Sequence, residues 1–152
     1  MAGTRQKGKH AEFLVFGELI SKGCELYLPI IDQGIDAILR KKDGTCAEIQ
    51  VKSTEAEGQA GCFNVDDLNL LRPREKLFIV CVDMSKQKSE GKPEVWVFPA
   101  EVFQEYATAS NLKEGYTRYM LDINARSQQH GNELRRDILK AKYLEAWHFL
   151  TD

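Results

Sequence analysis

Long hydrophobic runs are missing from this chain: the longest apolar stretches, such as Leu77 to Val82, are far too short to span a bilayer. The opening residues MAGTRQKGKHAE contain no apolar block of the kind a secretory signal uses, so a cytoplasmic protein is expected. Cysteine is sparse and scattered. Cys24, Cys46, Cys62 and Cys81 form no CxxC pair and have no interleaved histidines, which argues against a zinc site or a disulfide framework and leaves four reduced thiols. There is no internal repeat and no low-complexity tract, which excludes solenoids and arrays. Charge of one sign is lacking too: the net charge is −2, so nothing in bulk advertises a nucleic-acid binder. Its distribution is uneven, because Lys113 to Lys142 holds seven Lys/Arg against four Asp/Glu. A charge-rich helix is usually a solvated face, so the asymmetry by itself carries little.

With 152 residues, 43% of them hydrophobic, the chain can bury one proper core and is expected to form a single domain over 1–152, with residues 1–8 as a loose arm. Phe13, Leu14, Phe16, Leu19 and Ile20 space as the apolar stripe of a helix that ends at Lys22, with Gly23 behind it as a C-cap. Residues 24–31 read as a first strand that Pro29 places near an edge. Asp32-Gln33-Gly34 reads as a bend. Ser53 to Gly61 is a polar, glycine-bearing loop. Residues 62–65 suggest a short strand before a turn at Asp66-Asp67, residues 76–83 a strand buried on both faces, and residues 94–98 its neighbour across a charged loop. Pro99 opens a helix over residues 99–110. A short strand follows at 119–123, and Asn132 caps a last amphipathic helix running to about Leu150.

The stretch that organises this order is Gly34 to Lys52, GIDAILRKKDGTCAEIQVK. Asp43-Gly44 between two alternating runs is a hairpin signal, because the turn needs residues that tolerate positive φ. Side chains alternate across a strand, so Glu48, Gln50 and Lys52 share one face while Ala47, Ile49 and Val51 share the other, which is core. A modest choice of register sets Asp36 beside Gln50 and Lys52. A lysine one residue from an oxygen ligand, across from an aspartate, is what a divalent ion and a phosphate require.

This constellation resembles the PD-(D/E)xK nuclease superfamily, whose members carry an Asp on one strand and an acid-x-Lys on the next. Asp36 and Gln50-Val51-Lys52 match it as a QxK variant. Gly8-x-x-Ala11-Glu12 followed by Leu19-x-x-x-Gly23 is similar to the first helix of small Holliday-junction-resolvase-like nucleases, with Glu12 as the active-site glutamate. The resemblance covers residues 8–52. It implies an α/β fold with a restriction-endonuclease-like three-layer core, a mixed central β-sheet flanked by helices. It also implies a Mg²⁺- or Mn²⁺-dependent endonuclease, with Glu12, Asp36, Gln50 and Lys52 as the catalytic set. The metal would rest on Asp36, the Gln50 side chain, the Gln50 to Val51 backbone and Glu12, with Glu48 in reserve on the Gln50 face. An ammonium group is a poor base at neutral pH, so Lys52 is assigned charge stabilisation and positioning.

DNA, or else RNA, is the expected partner, held through its phosphates by Lys7 and Lys9 beside Glu12, by Ser53 and Thr54 after Lys52, and by Arg126, His130, Arg135 and Arg136 around the last helix. The nuclease reading leaves room for a homodimer, since two strands need two sites. Two rival classes stand beside it: a catalytically silent module that binds nucleic acid or protein, favoured by Gln50 in place of an acid, and an oligomeric scaffold.

Overall fold

The computed structural model describes residues 3–31, 34–54, 60–66, 74–86 and 90–152. Chain order begins with α1 (Thr4–Ser21), β1 (Glu25–Tyr27), β2 (Ala37–Arg40), β3 (Cys46–Thr54) and β4 (Cys62–Asp66). Next come β5 (Leu77–Asp83), β6 (Glu94–Pro99), α2 (Ala100–Tyr106), β7 (Thr108–Lys113) and β8 (Tyr116–Asp122). The short pair β9 (Arg126–Ser127) and β10 (Glu133–Leu134) leads into α3 (Arg135–Tyr143) and α4 (His148–Thr151).

The β2–β3 hairpin forms where the Asp-Gly signal put it. Gly44 takes φ 87°, and the Asp43 carboxylate accepts from the Thr45 amide at 2.9 Å, which fixes the turn locally. β3 is the axis of a five-stranded mixed sheet of order β1-β2-β3-β5-β6, antiparallel to β2 and parallel to β5. Ala47, Ile49 and Val51 meet Ala11, Val15 and Leu19 of α1 in one apolar core. Full burial of a Val or Leu is worth about 1.5–3 kcal/mol, so these contacts anchor the helix on the sheet. Against the other face lies a second core, where Phe63, Ile79, Trp96, Phe98, Phe103 and Leu121 pack between the main sheet and a three-stranded sheet of order β4-β8-β7. The result is the expected mixed α/β fold with helices flanking the sheet, plus a small sheet in one of its layers.

Several expected boundaries move. Residues 3–8 are no loose arm: Thr4 to Lys9 are the first turns of α1, and the Gly3 amide donates to the Gln6 side chain at 2.7 Å. The buried stripe of α1 is Ala11, Val15, Phe16 and Leu19, while Phe13 and Ile20 point to solvent. Alanine counts little in a stripe of large residues, and that displaced the expected face by a fraction of a turn. The first strand shrinks to Glu25–Tyr27 ahead of Pro29. The helix after Pro99 stops at Tyr106, and Thr108 onward turns into strand by pairing with β8. The last helix is two helices, broken where Leu144 bridges Trp96 and Glu145 takes φ 51°. Asn132 does not cap it; that residue sits in a left-handed turn with φ 63°. On the face of β3 that Gln50 shares with Glu48 and Lys52, Gln50 is buried beside the second core while the other two stay partly exposed. The bend at Asp32-Gln33, most of the loop after Thr54, Asp67 and the middle of the loop between β5 and β6 lie outside the described residues. No helix among the described residues is long and apolar enough to cross a membrane.

Candidate active site

Register brings the sequence motif together. Ala37 pairs with Ile49, so one residue earlier Asp36 falls opposite Gln50, and its amide donates to the Ile49 carbonyl at 2.9 Å. The Asp36 carboxylate then turns onto β3, where Oδ2 accepts from the Val51 amide at 2.6 Å. Val51 thus enters the site as the clamp on Asp36, its side chain in the core behind. Glu12 reaches the same carboxylate from α1, close enough for a hydrogen bond between the two acids. Burial pushes the Asp36 carboxyl up to about 6. The Val51 amide opposes that rise, the Glu12 charge adds to it, and Lys52 acts against it.

Gln50 is only 4% exposed, and its Oε1 has no hydrogen-bond partner among the described residues. Leaving such an oxygen unpaired costs about 1–3 kcal/mol, which a water or a bound cation would offset. Glu48, on the same face two residues back, also keeps a buried, unpartnered Oε2. It faces Ile38 across β2, one step further from Asp36. Lys52 is half-buried on the Gln50 face, within electrostatic reach of Asp36 and of Asp66 at the end of β4.

Among the described residues no three His, Cys, Asp or Glu side chains gather as a metal cage. What gathers instead is two carboxylates, Glu12 and Asp36, with Gln50 opposite Asp36 in the strand register. That set suits a hard cation such as Mg²⁺, which accepts one or two carboxylates and keeps the remaining positions for water and phosphate. The desolvated, orphaned Gln50 Oε1 fits it as well.

Asp66 was not legible as a site residue. Burial would raise its carboxyl, but hydrogen bonds from Tyr116 and Arg118, the Arg118 charge and Lys52 together hold it below the usual carboxylate range. Tyr116 donates to its Oδ2 and Arg118 Nε to its Oδ1 at 3.2 Å. These partners lie about fifty residues downstream, and only the β4–β8 pairing of Asp66 with Arg118 reveals them.

The expected phosphate contacts divide. Lys9 pairs with Glu12 at 2.8 Å and so stands at the site, and Lys7 lies on the same helix. Ser53 is half-buried, but Thr54, the last residue of β3, is buried at 6% exposure and offers no surface hydroxyl. Arg126 donates to the Asn132 carbonyl at 3.0 Å, and Arg135 to the Asp122 carbonyl at 3.3 Å; both line a separate cavity of about 440 Å³ with Thr108 and Gln128. His130 stacks on Tyr106 and contacts Ser127.

Arg136 is committed to structure. It holds the Glu94 carboxylate at 2.8 and 2.9 Å, donates to Asn124 at 3.0 Å and lies over the Trp96 ring. Glu94 is on β6, two strands removed from β3 and hence about 10 Å away. Arg136→Ala is therefore expected to cost about 2–3 kcal/mol in urea unfolding, because it strands a half-buried carboxylate, and to leave any cleavage rate per folded molecule unchanged. A normal unfolding midpoint combined with lost nucleic-acid binding would return Arg136 to the substrate surface.

No family model and no curated protein matches the chain. Among solved structures, the bacterial homing endonuclease I-Ssp6803I is similar over 99% of this chain and 92% of its own, with a TM-score of 0.58 and 21% sequence identity. At that identity the likeness is one of fold.

Proposed function

We propose that this protein is a divalent-metal-dependent nuclease that hydrolyses phosphodiester bonds, with DNA as its substrate. The observation that carries the reading is the approach of Glu12 to Asp36 beneath the Val51 amide, with Lys52 within electrostatic reach of Asp36 and the buried, unpartnered Gln50 opposite Asp36 in the β2–β3 register. A fold shared with a homing endonuclease supports it.

Asp36, Gln50 and Glu12 would hold a Mg²⁺ or Mn²⁺ ion, which supplies Lewis-acid polarisation of the phosphodiester when bound. The chain's own groups do the rest. The Val51 amide keeps one Asp36 oxygen fixed. Lys9 holds Glu12 by an ion pair and adds a positive charge where a nucleic-acid phosphate would enter. Lys52 places its ammonium against the phosphoryl oxygens, where negative charge grows as the bond breaks, and it needs no change of protonation to do so. Asp66, braced by Tyr116 and Arg118, keeps that ammonium on station.

Incubating the purified protein with single-stranded, duplex and branched DNA and with RNA, in Mg²⁺, in Mn²⁺ and in EDTA, tests the reading. Metal-dependent cleavage is the expected result. Gln50 also permits a second reading, a nuclease-fold module that binds nucleic acid without cutting it, and intact binding with no metal uptake near millimolar Mg²⁺ in calorimetry would select that one.

Gln50→Glu separates the two further. A third carboxylate should lower the Mg²⁺ concentration for half-maximal cleavage about tenfold, while the metal-free variant loses about 1–3 kcal/mol because a charge is buried beside Asp36. Metal titrations of cleavage and thermal unfolding in EDTA read both effects. An unchanged Mg²⁺ requirement would remove Gln50 from the ligand set.

A further inference from the structure

α1 wastes an aromatic side chain on water. Phe13 is 64% exposed, although it is adjacent in sequence to Glu12 and touches Phe16 only edge-on, with ring centroids 6.4 Å apart. On one side of its ring lies a cavity of about 610 Å³ that extends to Glu12 and Asp36. Across that cavity stand Leu28 at 60% and Ile30 at 101% exposure, on the segment that follows β1. On the other side of the ring is a second hollow of about 430 Å³, bounded by Arg5, Gln6, Lys9 and His10. Gly8 opens onto the larger cavity, and a Cβ built there would meet nothing within 4 Å, so the floor stays clear.

Such a groove has a chemical signature. Its inner end is made of metal-seeking oxygens, its rim is cationic through Arg5 and Lys9, and its walls are an aromatic face opposite two aliphatic side chains. A second protein surface would satisfy the apolar walls but not the combination, whereas a nucleotide carries an anionic backbone and a flat base in one unit. A paired, stacked base cannot enter, since its faces are already covered by its neighbours.

We infer that the groove between Phe13 and the Leu28–Ile30 segment receives an unstacked base next to the cleaved phosphate. Phe13 serves as its stacking platform and Ile30 as the apolar wedge that keeps it out of a helix. The substrate class that follows is DNA with an unpaired nucleotide at the cut: a flap, a gap edge, a junction or a mismatch. The inference rests on the nuclease reading only for which phosphate is cut; the seating of the base does not need catalysis.

The probe is a short DNA duplex carrying 2-aminopurine either fully paired or unpaired opposite a gap, mixed with the full-length protein in EDTA. Binding of the unpaired probe should quench 2-aminopurine fluorescence and be about tenfold or more tighter than that of the paired probe. Phe13→Ala should abolish the quench and the preference, Phe13→Tyr should restore both, and Ile30→Asp should weaken the preference. Phe13 and Ile30 are exposed, so circular dichroism should show all three variants folded. Equal affinity for paired and unpaired probes, or a quench that survives Phe13→Ala, overturns the inference. So does light scattering that shows a wild-type dimer broken by Phe13→Ala, because the groove would then belong to a second copy. Quenching without cleavage in Mg²⁺ supports the groove and defeats the nuclease reading alone; cleavage with no preference for unpaired sites defeats the groove alone.

Discussion

Lys52→Ala is expected to slow phosphodiester cleavage about 100- to 1000-fold under single-turnover conditions while the fold survives. The size follows from what one pre-set positive donor contributes to a transition state whose charge builds in a site screened from water. The fold survives because the Lys52 ammonium is not an anchor of either core. It lies within reach of Asp36 and Asp66, and the Asp66 carboxylate keeps Tyr116 and Arg118 when the lysine is gone. Lys52→Arg should recover part of the loss, since charge returns but the guanidinium is wider and differently hydrated. A cleavage rate unaffected by Lys52→Ala would take this residue out of the chemistry, and with it the main argument for a nuclease.

Asp36→Asn should abolish cleavage, by about 100-fold or more, and yet make the metal-free protein more stable at neutral pH. The Asp36 carboxyl titrates at about 6 in the fold against an ordinary 3.8, burial being the chief cause. Between those values the folded chain holds a proton that the unfolded chain has released, so stability falls as pH rises through the window and the full cost is present above it. A shift of roughly two units corresponds to about 3 kcal/mol as an upper limit; discounted for the water that still reaches the site, about 1–2 kcal/mol remains. Asparagine keeps the oxygen that accepts from the Val51 amide and removes the charge. Scanning calorimetry in EDTA should therefore show a Tm raised by about 2–8 °C at neutral pH and a gain that shrinks toward pH 4. A lower Tm for the variant at neutral pH would mean that the carboxylate is stabilised by neighbours rather than held at a cost. The pairing of gained stability with lost activity is what distinguishes a site residue from a structural one.

How much of this could be read beforehand depends on the distance along the chain over which each contact forms. The β2–β3 hairpin and the meeting of Asp36 with Gln50 and Lys52 were legible because a tight Asp-Gly turn fixes register across a few residues. Glu12 was legible only through its resemblance, since nothing local says which way a helical glutamate points. The strands at 62–65 and 119–123 were legible, as β4 and the end of β8, but β7 and the pairing of the three into a second sheet were not. Its strands are joined across some fifty residues, and Thr108 to Lys113 continues a helical stretch without a break strong enough to mark the change. Missing that pairing hid the cluster of Asp66, Tyr116 and Arg118. Arg126, His130, Arg135 and Arg136 around the last helix were visible as charge, but charge does not disclose whether it is committed to Glu94, as Arg136 is, or to a ligand.

β3 is covered on both sides, by α1 on one and by the second core on the other, and it is hydrogen-bonded to a neighbour along each edge. A segment so enclosed can loosen only when the whole domain does. Gln50 and Lys52, the β3 residues of the proposed site, thus inherit the slowest breathing in the molecule, and adaptability toward a ligand would have to come from the rim.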